Sequence, residues 1–258
     1  MKIVVLAKDV PDTYGERTLN PETGLADRAG GDNVIDEIDG RALEVALRFA
    51  DASPGTEIAV LSMGPEGATA NLRKCLAMGA DSVTHVMDEN LRGADLSLTA
   101  EVLARALTRI GFDLVIAGNQ STDGSGGVLP AMLAEHLGLA SVTNLNSLEL
   151  SEVEVHGERV SDGASLSVRA PFPAVVSVTE QLPDARFPSF KGIMAAKKKP
   201  FETLDLADLG IDASDLGSPR AIMISISERP PRAAGQKIVD AGDAGTQLAG
   251  YLLEHRLV

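Results

Sequence analysis

The chain has 258 residues, 44% of them hydrophobic, 3% aromatic, and carries a formal net charge of −14. Such a length buries a full core, while the acidity excludes general affinity for nucleic acid, whose binders need a basic face to displace phosphate counterions. The absence of tryptophan leaves little for a base-stacking platform, and no apolar run approaches the roughly 20 residues of a membrane span.

Met1 leads directly into a strand instead of a signal peptide, so a soluble, cytoplasmic protein with no membrane insertion is expected. Lys2 to Ala7 is a nearly continuous apolar run, the mark of a parallel strand covered on both faces. A polar stretch rich in Gly, Pro and Asp follows to Asn33. Ala42, Leu43, Val45, Ala46, Leu47 and Phe49 then lay an apolar stripe on a helix. Glu57 to Met63 predicts the second strand, Gly64-Pro65 a turn, and Ala68 to Met78 a helix ended by Gly79. Ser82 to Met87 is the third strand, Leu96 to Ile110 a helix, Asp113 to Ala117 a strand and Val128 to Leu137 a helix.

This alternation predicts an α/β fold: a doubly wound, mostly parallel sheet with helices on both faces and ligands at the carboxyl ends of strands. Beyond about residue 140, Val153 to Val155 and Ser165 to Arg169 alternate with period two, and Ala174 to Val178 is apolar throughout. All three read as antiparallel strands added to the sheet. From Gln181 onward, six prolines and the Lys197-Lys198-Lys199 run predict an extended C-terminal arm. The expected organisation is therefore residues 1–180 as an α/β domain with added antiparallel strands and 181–258 as an extended C-terminal arm.

Cys75, the single cysteine, forms no internal disulfide and sits on a helical pattern. The histidines at 85, 136, 156 and 255 lack the spacing of a metal motif, so no metal is expected.

The loop Gly118-Asn119-Gln120-Ser121-Thr122-Asp123-Gly124-Ser125-Gly126-Gly127 leaves a buried strand and enters a helix through Val128, Leu129 and Pro130. Its glycines let backbone N–H groups face a phosphate, and the helix N-terminus adds partial positive charge, so the phosphate needs no lysine. The alternative is a mobile surface loop. Neither the Walker pattern nor the GxGxxG spacing fits. Ser121, Thr122, Asp123 and Ser125 are the only side chains there with chemistry to offer an enzyme, and they equally satisfy turn backbone.

Several separate stretches resemble the β subunits of electron-transfer flavoproteins, and the likeness runs from Met1 to Val258. They are Val4 to Lys8, Leu76 to Asp81, the loop from Gly118, Arg159 to Gly163 with Phe172 to Ser177, and Ile193 to Lys199. Gly157, Ala164 and Leu166 depart from the family signature. The resemblance implies a heterodimer with an α subunit, FAD between the two and held mainly by the partner, AMP buried in this chain, and no catalytic residue of its own.

Carried over by position, the AMP contacts are Leu6, Asp36, Glu37, Ile38, Asp39, Met63 and Gly118 to Leu129. Gly127, Val128 and Leu129 replace polar side chains of some relatives, leaving phosphate contacts to the main chain. Tyr14 lies in a region that approaches the flavin. Phe187, Pro188, Ser189, Phe190, Lys191 and Gly192 resemble the dehydrogenase-recognition loop, with Phe190 at its apolar anchor. The implied donors are acyl-CoA dehydrogenases or similar flavoenzymes, and the implied acceptor is a membrane-quinone oxidoreductase. Two other readings are a bifurcating flavoprotein with a second FAD in this chain and a stand-alone adenine-nucleotide-binding protein.

Overall fold

The computed structural model describes residues 1–15, 17–28, 31–215, 220–227 and 229–258. It divides into two compact units, Met1–Ile224 and Ser225–Val258. Residues 216–219 and Glu228 of the expected arm, Pro219 among them, lie outside the described residues.

The first strand, β1 (Lys2–Leu6), buries its last four residues. Ile3 and Val5 point into one core layer, Val4 and Leu6 into the other, as the two-residue period of a strand requires. A short antiparallel pair follows, β2 (Asp9–Pro11) with β3 (Asn33–Ile35). Helix α1 (Glu37–Ala52) begins at the N-cap Asp36. Next come β4 (Glu57–Met63), α2 (Thr69–Met78), β5 (Ser82–Val86) and α3 (Leu96–Ile110). Then β6 (Leu114–Gly118), α4 (Leu129–Leu137) and β7 (Ala140–Leu145) complete the alternating part.

A meander of β8 (Ser147–Leu150), β9 (Glu154–Ser161) and β10 (Ala164–Pro171) forms a separate antiparallel sheet. Strand β11 (Ala174–Val178) returns to the main sheet. After it stand α5 (Phe190–Ala196), β12 (Phe201–Leu204) and α6 (Leu206–Leu209). The second unit contains α7 (Ala244–Glu254), none of whose residues is buried.

The main sheet has seven strands in the order β12-β5-β4-β1-β6-β11-β7, every neighbouring pair parallel. Helices α1 and α2 cover one face and α3 and α4 the other. The chain winds from β1 outward to β5, then α3 carries it across the opposite face to β6 on the other side of β1. That reversal opens a crevice at the carboxyl ends of β1 and β6.

Two expectations need correction. Ala174 to Val178 does not extend the fold as an antiparallel strand; β11 lies between β6 and β7, parallel to both and buried at every residue. A continuous apolar run is what a strand covered on both faces demands, and the parallel return is made possible by the meander that precedes it. The chain after Gln181 also adds β12 to the sheet edge beside β5 and buries Leu204, Leu206 and Leu209. Lys199 anchors this return: its ammonium donates to the carbonyls of Leu76, Gly79 and Ala80 at 3.1, 3.0 and 2.6 Å, where α2 ends with unpaired acceptors.

Candidate functional site

Two carboxylates at the start of α1 hold the crevice together. Asp36 Oδ1 accepts from the Ile38 N–H at 3.0 Å, and its Oδ2 accepts from the Thr122 N–H at 2.7 Å and hydroxyl at 2.8 Å. Asp39 Oδ2 accepts from the Lys8 N–H at 2.8 Å and Oδ1 from the Gly118 N–H at 3.0 Å. One side chain thus ties the residues following β1 to the end of β6. Burial, with the Asp36 charge second, pushes the Asp39 carboxyl up to about 7 despite those two donors. Gly118 is obligatory here because a Cβ would lie 2.6 Å from Asp39 Oδ1. Ile38 packs in the core and Glu37 is exposed.

The first half of the glycine-rich loop is fixed by charge. Asp123 accepts from the Lys8 ammonium at 2.6 Å and from the Arg28 guanidinium at 3.1 Å, and Lys8 also reaches the Ser121 hydroxyl at 3.2 Å. Burial works to raise the Asp123 carboxyl, but the Lys8 contacts outweigh it and hold the group down at about 2. Arg17 donates to the Thr122 carbonyl and, at 3.2 Å, to its hydroxyl. Lys8, Arg17 and Arg28 thus converge on the loop's own side chains and on the Thr122 carbonyl, a set of contacts that the sequence reading did not include. Lys8 directly follows the apolar run of β1, which puts it at a strand's carboxyl end and was a usable signal. Nothing in the sequence pattern marks Arg17 or Arg28.

The second half is open. Gly124 to Val128 are exposed, and among the described residues the N–H groups of Gly126, Gly127, Val128 and Leu129 have no partner within the chain. Gly127 has φ +67 and open space around its missing Cβ, and Ser125 also adopts a positive φ of 49. The Asn119 N–H is tied to the Val178 carbonyl at 2.8 Å, while its buried Oδ1 has no partner. Gln120 is exposed. These residues fit an adenine nucleotide: free main-chain donors before α4 for a phosphate, and an unpaired buried acceptor for an amino group.

Leu6, Asp36 to Asp39 and Gly118 to Asp123 meet at the crevice, and Met63 lies half-buried at the carboxyl end of β4 in the core layer that holds Leu6. Tyr14 is 99% exposed. The expected recognition loop is partly helical: Ser189 caps α5 by accepting from the Gly192 N–H at 3.0 Å. Gly192 seats α5 on α2, since a Cβ there would fall 2.1 Å from the Ala77 carbonyl oxygen. Phe187 and Phe190 stand 94% and 82% exposed, with Pro188 half-buried and Lys191 exposed.

No group of three or more His, Cys, Asp or Glu among the described residues could hold a metal ion. Burial, followed by the charge of Asp39, pushes the Cys75 thiol up to about 12, so it is unreactive. No helix among the described residues is long and apolar enough to cross a membrane.

A doubly wound parallel sheet with its glycine-rich loop at the switch point defines an α/β protein of the class that takes ligands in such a crevice. The family model described as "Electron transfer flavoprotein domain" matches residues 23–209. The chain is 46% identical to an "Electron transfer flavoprotein subunit beta" of Mycobacterium leprae over 99% of both chains, and 44% identical to that of Mycobacterium tuberculosis over 99% of both. It is 33% identical to the "Caffeyl-CoA reductase-Etf complex subunit CarD" of Acetobacterium woodii, over 98% of this chain and 97% of that one. The chain belongs to the electron transfer flavoprotein family, as a β subunit: an electron-carrier subunit whose partner is an α subunit.

Proposed function

We propose that this subunit buries AMP in the crevice and, with its α subunit, carries electrons from acyl-CoA dehydrogenases or similar flavoenzymes to a membrane-quinone oxidoreductase. FAD, held mainly by the α subunit, supplies the redox chemistry when bound. The observation that carries the reading is the open second half of the glycine-rich loop, four successive unpaired N–H groups running into the N-terminus of α4.

The chain's own residues have positioning roles. Asp36 and Asp39 set the loop's distance from β1, and Asp123, neutralised by Lys8 and Arg28, fixes the loop without presenting a free negative charge to a phosphate. Asn119 Oδ1 accepts from the adenine amino group. Leu6 and Met63 offer apolar surface to the base, and Tyr14 is displayed toward the flavin edge. Phe190, with Phe187 beside it, is the apolar anchor for the dehydrogenase. The residues after 181 serve recognition and wrap the α subunit, for which the wholly unburied α7 is the support.

The relative from a caffeyl-CoA reductase complex favours a second reading, in which the crevice takes the AMP portion of a second FAD and the heterodimer bifurcates electrons. The stand-alone reading has no such support. Extraction of the purified heterodimer followed by chromatography tests the proposal: one FAD and one AMP are expected. Two FAD with no AMP would replace it by the second reading.

A further inference from the structure

The docking segment is held to α1 by a buried carboxylate. Glu44, in the middle of α1, is only 3% exposed. Its Oε2 accepts from the Arg186 backbone N–H at 3.1 Å and from Arg186 Nε at 2.7 Å, and its Oε1 accepts from Arg186 Nη2 at 3.3 Å and from Arg48 Nε at 2.7 Å. Arg186 spends its remaining arm on Asp51, 2.9 Å away. One turn earlier, Arg41 donates to the Leu182 carbonyl and pairs with Asp184 at 2.5 Å. Gly40 lets the helix approach Ala185, whose Cβ would lie 3.4 Å from a Cβ at that position.

Residues 182 to 186 are thus fastened along α1 by backbone and side-chain bonds together, and the next residue is the fully displayed Phe187. A planar guanidinium gripped along its Nε–Nη2 edge by one carboxylate, with the residue's backbone N–H gripped by the same group, fixes the direction in which the chain leaves the helix. From Arg186 the three residues Phe187 to Ser189 lead into the Ser189 cap of α5, so the bonds at Arg186 fix one end of the segment that carries Phe187, and the seating of α5 on α2 fixes the other at Phe190. Phe187, 94% exposed, has no packing of its own to fix it.

We infer that Glu44 is a positioning residue for electron-donor docking: through Arg186 it holds the segment that presents Phe187 and Phe190 to the partner flavoenzyme. This rests on the docking role proposed for Phe190. An unfastened segment has to be ordered when the partner binds, and ordering two aromatic side chains with their backbone weakens association by about tenfold.

The test uses the intact heterodimer with Glu44→Gln, Arg186→Lys and, as a control for the docking role itself, Phe190→Ala. The donor is a purified medium-chain acyl-CoA dehydrogenase reduced with octanoyl-CoA. Expected for both Glu44→Gln and Arg186→Lys is a KM for the dehydrogenase raised about tenfold, with kcat and nucleotide content near wild type. Trypsin should also cleave after Arg186 of Glu44→Gln faster than in wild type, as mass spectrometry of the fragments will read. A Phe190→Ala that raises KM while the other two variants leave KM unchanged overturns the inference and spares the docking role. Unchanged KM in all three overturns both. Should Glu44→Gln not assemble, Arg186→Lys, which keeps the charge and one bond to Glu44 but loses the fork, decides alone.

Discussion

Replacing Gly118 by alanine adds one methyl group at the tightest point of the crevice. The new Cβ would stand 2.6 Å from Asp39 Oδ1 and 3.2 and 3.3 Å from Cγ2 and Cβ of Ile38. Ile38 is 4% exposed and packed in the core, so the carboxylate has to yield. Moving it forfeits one or both N–H bonds that join Lys8 to Gly118, each worth about 1.5–3 kcal/mol to a charged acceptor. Crowding adds about 1–3 kcal/mol where the surroundings cannot relax. The sum, about 2.5–6 kcal/mol if one bond is lost and about 4–9 kcal/mol if both are, is a large part of the roughly 5–15 kcal/mol that holds a typical domain folded. Gly118 has no left-handed backbone angle, so space alone is at issue and Gly118→Ser should fail equally. Urea unfolding of the heterodimer, with AMP measured by extraction, gives both readouts. A Gly118→Ala protein within about 1 kcal/mol of wild type and with full AMP would refute the idea that Asp39 clamps the two strand ends.

Gly127→Val should lose AMP through its positive φ, which a β-branched residue resists, and Gly126→Val should weaken it less, because its Cβ 3.2 Å from Leu96 Cδ1 needs that exposed side chain to give way; AMP at full occupancy in both variants would take the loop out of the site. Phe190→Ala should keep FAD, AMP and the α subunit yet weaken dehydrogenase binding, since truncating an anchor that buries about 150–250 Å² typically costs about 2–4 kcal/mol, or about 30-fold to several hundred-fold in affinity; unchanged binding in a titration would place Phe190 outside the interface. The Asp39 carboxyl stands at about 7 in the fold against 3.8 as its ordinary value, so folding favours its protonated form: that stabilisation is complete below about pH 4 and is lost as pH rises through about 7. Wild type should therefore lose stability across that window by up to about 4 kcal/mol from this group, and Asp39→Asn should remove that part of the slope in pH-dependent unfolding; an unchanged slope would count against Asp39 as its source.

The parts of the fold written in local pattern were legible in the sequence. Lys2 to Ala7, Glu57 to Met63 and Asp113 to Ala117 carry the unbroken apolar runs of doubly covered strands, and Leu96 to Ile110 carries its stripe from end to end. The glycine-rich loop was visible because it interrupts that alternation at a strand's carboxyl end. What pattern does not carry is the partner of a charge. Lys8 and Asp123 are 115 residues apart, and Glu44 and Arg186 are 142 apart; only closure of the sheet brings either pair together. Direction is lost for the same reason: the residues of Ala174 to Val178 do not name their neighbours, and it is the return of the chain after the separate meander that sets β11 parallel to β6 and β7. Prolines after Gln181 suggested an arm, yet Phe201 to Leu204 needs only four residues to join an edge, too short a signal to outweigh the surrounding breakers. The resemblance implied only that Asp36 and Asp39 touch a nucleotide; their bonds to Thr122, Lys8 and Gly118 depend on contacts 31 to 86 residues away along the chain, which no local pattern carries.

The central claim, that this subunit serves a carrier fed by dehydrogenases, is tested most directly by rapid mixing of the oxidised heterodimer with each possible donor while the flavin absorbance is followed. The account predicts fast bleaching by a substrate-reduced acyl-CoA dehydrogenase, reoxidation by a membrane-quinone oxidoreductase, and no bleaching by NADH alone. Direct bleaching by NADH, with the reduced dehydrogenase inert, would contradict it.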